Sequence, residues 1–124
     1  MNAPKKIVTE AHVKALTNWW FKTRDAFRFS VVQNGLGIHG IHDDLACVPV
    51  VVTQAMVGKR IGLFVSVEDK KPGRRGEKDR GMSKHQVLFM EAVIKAGGLS
   101  ICCDGQDDLD VLDNWITVLT EAPL

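Results

Sequence analysis

The sequence predicts an α/β fold, a small mixed β-sheet flanked by helices in the order α-β-β-β-α-β-α. Three observations carry it. Apolar residues recur at helical spacing behind capping residues near both Thr9 and Ser83. Short β-rich runs sit between those helical stretches. Gly97-Gly98 separates the second helical stretch from a further apolar run, Leu99–Cys103.

Taken in order, Thr9 caps a first helix over about 9–25, with Glu10 at its positive end and Val13, Leu16 and Trp20 on one stripe. Phe27–Val32 is a short strand, followed by a glycine-rich turn over 34–40. Leu45–Val52 and Ile61–Val67 read as two further strands, and their nearly continuous apolar runs fit burial on both faces. Lys70–Arg80 is a basic loop containing Pro and Gly. Ser83 caps a second helix over about 84–96, Leu99–Cys103 is the fourth strand, and Asp107 and Asp108 open a last helix reaching Leu119. No repeat or internal boundary interrupts the 124 residues, so one domain is expected.

Composition narrows the function classes. With 45% hydrophobic and 25% charged residues the chain can bury a core. No apolar run approaches the roughly 20 residues of a membrane helix, and Met1–Glu10 lacks an apolar signal core. Three cysteines, two of them the adjacent Cys102 and Cys103, suit a reduced intracellular protein; Cys47, Cys102 and Cys103 read as buried small hydrophobes. The net charge of +1 excludes a histone-like tail but not nucleic acid, for which the placement of charge matters.

The chemistry concentrates at Phe64–Gly73. Side chains alternate along a strand, so Glu68 and Lys70 share a face while Asp69 points away and keeps its backbone carbonyl near the first face. Taken alone, that pair is a strand-end ion pair worth about 0–1 kcal/mol. If the strand beginning at Asp44 is its neighbour, Asp44 and Glu68 converge on one hard cation such as Mg²⁺, which takes few carboxylates and keeps water. Lys70 would then orient an attacking water or offset developing charge. Lys71, Arg74, Arg75, Lys78 and Arg80, diluted by Glu77 and Asp79, read as a solvated loop or, beside such a site, as a phosphate-binding arm. His39 and His42 flank Asp44 and are weaker candidates for metal or phosphate. Asp104–Asp110 lacks the glycine and terminal Glu positions of a calcium loop.

Asp44 followed by Glu68-x-Lys70 at a strand end resembles the core of the PD-(D/E)XK nucleases, and more narrowly the VRR-NUC family. The likeness runs through Gly40–Leu45, Phe64–Gly73 and Ser83–Met90 to Gly97-Gly98, over roughly residues 9–105. It implies a restriction-endonuclease-like core with Asp44 and Glu68 as metal ligands, joined by the Asp69 carbonyl. Lys70 becomes the catalytic lysine, Gln86 a positioning group on the second helix, and Glu10 a further acid from the first. Asp69 departs from the family, where an apolar residue stands, and the Asp43-Asp44 pair is read with Asp44 as ligand because Leu45 follows it.

The resemblance further implies a Mg²⁺- or Mn²⁺-dependent deoxyribonuclease acting on branched (Holliday-junction) or duplex DNA. A homodimer working in phage or host replication and repair is the setting it implies. The rival readings are a DNA-binding module without catalysis and a nuclease-fold subunit docking a partner through Trp19, Trp20 and Trp115.

Overall fold

The computed structural model describes residues 2–31, 42 and 44–121. His39, Asp43 and the turn expected over 34–40 lie outside them. The chain falls into two compact units, Met1–Arg60 and Ile61–Leu124, each described by itself. The α/β class and the order of helices and strands are as expected; where one small mixed sheet was expected, the described residues form a two-stranded sheet in each unit.

In the first unit, helix α1 spans Glu10–Lys22. Its start is built locally. Thr9 Oγ1 accepts from the His12 amide at 3.2 Å, and His12 Nδ1 accepts from the Thr9 amide at 3.1 Å, so two orphan donors of the first turn are met. Trp20 packs edge-on against Phe21, and the Arg24 guanidinium lies 3.7 Å above the Trp20 ring. No residue of α1 is fully buried, so Trp20 forms a rim cluster rather than a core.

Strands β1 (Phe27–Ser30) and β2 (Asp44–Cys47) pair antiparallel, with Ser30 opposite Asp44 and Phe27 opposite Cys47. The strand expected over Leu45–Val52 therefore ends at Cys47. Pro49 is the physical reason: it has no amide to donate and restricts Val48 before it. Val50, Val51 and Val52 are exposed, Val51 at 87%, where burial on both faces was expected. A short 3₁₀ turn follows over Gln54–Met56.

In the second unit, β3 (Val65–Asp69) pairs parallel with β4 (Leu99–Cys103), Glu68 standing opposite Cys102. The third strand was expected over Ile61–Val67 and lies further along the chain. Its partner sets the limits: α2 (Lys84–Lys95) ends just before β4, whose first amide, Leu99, donates to the Phe64 carbonyl at 2.9 Å. Ile61–Leu63 thus find no ladder there. Burial alternates along β3, with Val65 and Val67 partly exposed, so this strand too is not buried on both faces.

Ser83 caps α2, and Gly97 at φ 90° supplies the left-handed residue that closes it. Helices α2 and α3 (Gln106–Thr120) both pack on β4. The core of this unit is Val93, Ala96, Ile101 and Cys102, with Val93 wholly buried. Among the described residues no helix is long and apolar enough to cross a membrane, and all three cysteines are free.

Candidate active site

Period-two alternation brings Glu68 and Lys70 to one face of β3, where Lys70 Nζ lies 3.5 Å from Glu68 Oε1. The capping geometry of α2 brings a third group. Gln86, the third residue of that helix, receives the Ser83 amide on its Oε1 at 2.9 Å. The same oxygen accepts from Lys70 Nζ at 3.1 Å, and Gln86 Nε2 donates to Glu68 Oε1 at 2.9 Å. One side chain therefore closes a three-membered network and fixes the helix start.

The Lys70 side chain is only 16% exposed. Its ammonium donates to Gln86 and pairs with Glu68, so of its three donors at least one has no partner among the described residues. Glu68 Oε2 has no hydrogen bond among the described residues. Asp69, next in β3, turns its exposed side chain to the other face.

Asp44, in the first unit, sits at the start of β2, where Arg28 Nη1 donates to its Oδ1 at 2.7 Å. It lines a cleft of about 410 Å³ with Lys14, Asn18, Arg28 and Ser30. Glu10 is solvent-exposed and pairs with Lys14 at 3.9 Å, one helical turn away. His42 is exposed as well.

The basic loop is largely occupied by the protein's own acids. Arg74 pairs with Glu77. Arg75 reaches Asp104 and Asp108, each at 3.0 Å, and Arg80 reaches Asp108 at 2.9 Å. Asp108, 4% exposed, also accepts the Asp104 amide at 3.0 Å. The Arg80 hydrogen bond, then the Asp104 amide, hold its carboxyl well below the usual carboxylate range, while Asp108 raises Arg80 in turn. The loop carries left-handed backbone at Asp79 and Arg80, φ 52° and 54°, which this clamp retains. Asp108 was expected to act on the helix dipole, and the doubled acid gave no sign of its distant arginines. Among the described residues Lys71 and Lys78 form no ion pair.

A divalent cation can be tested against these groups. Among the described residues no three His, Cys, Asp or Glu side chains cluster as a metal cage. The second unit offers the Glu68 carboxylate and the adjoining Asp69 carbonyl, both hard oxygen donors. That set fits Mg²⁺ or Mn²⁺, since Mg²⁺ in particular takes one or two carboxylates and keeps its waters.

Beside the network a cleft of about 350 Å³ opens between α2 and the β3–β4 sheet. His85, Phe89, Ser66 and Ser100 line it, and none of the four stands out as a site residue in the sequence. No protein-family model, curated protein or solved structure matches this chain.

Proposed function

We propose that this chain is a divalent-metal-dependent DNA endonuclease with a PD-(D/E)XK core of the VRR-NUC kind. The observation that carries the reading is the closed contact of Glu68, Lys70 and Gln86. An acid and a lysine two residues apart at a strand end are common, but a glutamine from the next helix bonded to both is a built arrangement. The element order supports the same core.

Mg²⁺ or Mn²⁺ at Glu68 and the Asp69 carbonyl would supply charge neutralisation at the phosphate and a more acidic bound water. Lys70 directs its remaining proton at the nucleophile or at phosphate charge as it develops. Gln86 holds Lys70 and Glu68 in register. The resemblance assigns Asp44 as a further ligand; Arg28 holds its Oδ1, so a metal there would meet Oδ2 or compete with Arg28. Branched DNA as substrate, a homodimer presenting two sites and an intracellular setting complete the proposal; the three free cysteines support the last.

The Arg28–Asp44 pair also favours a second reading, a DNA-binding module without catalysis, because an acid already neutralised by arginine is a poor metal ligand. End-labelled four-way junction, duplex and single-stranded DNA, incubated with Mg²⁺ or Mn²⁺, separate the two. Symmetrical junction nicks that vanish in Glu68→Ala support the paired endonuclease. Salt-sensitive binding without cleavage, or equal cleavage by Glu68→Ala, contradicts it.

A further inference from the structure

We propose that the cleft between α2 and the β3–β4 sheet seats a nucleobase, that of the nucleotide adjoining the phosphate cut at Lys70. The inference rests on the phosphodiesterase reading of Glu68 and Lys70 and adds a subsite to it.

The size is that of a ligand site: about 350 Å³, at the lower end of the roughly 300–1,000 Å³ of small-molecule pockets. Its walls are of two kinds. Met82, Phe89 and Met90 give thioether and phenyl surface, which favours contact with a π-system. Opposite them stand two hydroxyls, Ser66 and Ser100, with their oxygens 2.6 Å apart. One mutual hydrogen bond uses one of their two protons, so the pair keeps a donor and acceptor lone pairs. An aliphatic ligand would offer the remaining hydroxyl proton no acceptor, and a strongly polar one would waste the Met and Phe surface. A flat heteroaromatic ring with donors and acceptors on its edge satisfies both walls.

The position selects a nucleobase among such rings. Glu68 and Gln86 belong both to the cleft wall and to the network around Lys70. A ring in the cleft therefore lies within one nucleotide's span of the ammonium that meets phosphate.

The test is a titration of the isotopically labelled full chain with dAMP, followed through backbone amide resonances with chelator present. Deoxyribose 5-phosphate, which lacks the base, serves as the control. Saturable shifts at Ser66, Phe89, Met90 and Ser100 with dAMP alone support the subsite. Phe89→Leu, which keeps apolar bulk and the fold but removes the ring, should weaken dAMP about fivefold or more. Equal shifts from the sugar phosphate, no shifts in the cleft at millimolar dAMP, or unchanged affinity in Phe89→Leu would overturn it. The two readings fail separately. Lys70-dependent DNA cleavage without cleft shifts removes only the subsite, whereas cleft shifts without cleavage retain a nucleobase cleft and remove the hydrolase.

Discussion

Lys70 and Glu68 meet at 3.5 Å on one face of β3, and neither is held by that contact alone. Gln86 accepts from the first and donates to the second, at 3.1 and 2.9 Å. A partly exposed ion pair is worth about 0–1 kcal/mol, so the precision of the arrangement comes from the amide that bridges it.

Gln86→Ala should therefore lower DNA cleavage about tenfold to a hundredfold, the usual effect of losing a group that orients a reacting one. The comparison is with Ser83→Ala, which removes the hydroxyl that caps the Gln86 amide but leaves the contacts of the Gln86 side chain in place. That variant should lose about 1 kcal/mol of stability in urea unfolding while cleaving normally. Equal activity losses in the two variants would mean that Gln86 acts only through the helix start.

Acid should weaken the fold through Asp108. Its folded pKa is depressed, first by the Arg80 hydrogen bond, so its contribution is present above the unfolded value, about 3.9. That contribution is lost as pH falls below that value toward the folded one. Urea midpoints measured from neutral pH down to about pH 3 should fall, and Asp108→Asn should flatten the acid limb. At neutral pH the same variant should cost roughly 1–3 kcal/mol, because Arg75 and Arg80 lose a charged acceptor. Parallel pH profiles would contradict the clamp.

The basic loop divides into two roles. Arg75 and Arg80 are held by Asp104 and Asp108, so alanine at either position should lower stability more than DNA affinity. Alanine at Lys71 or Lys78 should leave the melting temperature unchanged and reduce the salt slope of binding by about 0.9 for each phosphate that is no longer neutralised. Binding isotherms at several salt concentrations, beside thermal melts, distinguish the two classes.

Cys102 and Cys103 should differ in reactivity although adjacent. Burial pushes the Cys102 thiol up, against the opposing charges of Arg80 and Lys70, while Cys103 is partly exposed on the other face. Brief alkylation of the native chain followed by peptide mass spectrometry should label Cys103 first. Preferential labelling of Cys102 would contradict the packing of α2 on β4.

The parts of this molecule readable from sequence are those fixed within a few residues. Thr9, Ser83 and Gly97 mark helix ends through local hydrogen bonds and backbone freedom, and alternation puts Glu68 with Lys70 whatever surrounds them. Strand limits were less legible, since β3 extends only as far as β4 offers partners, and Pro49 stops β2 inside an apolar run. The arginine clamp was hidden for a related reason. Arg75 and Asp108 are far apart in sequence, and nothing local to either announces the other. Ser66 and Ser100 likewise meet only through the parallel register, and His85 and Phe89 join them only because α2 folds back over that sheet.

The most direct test of the account is single-turnover cleavage of four-way-junction DNA by Lys70→Ala, with DNA binding and thermal melting measured on the same preparation. Cleavage with Mg²⁺ or Mn²⁺ should fall by about a hundredfold or more while binding and melting stay near those of the parent chain. Cleavage at the parental rate in a contaminant-free preparation would contradict it, and Lys70 would then be no more than one partner in a strand-end ion pair.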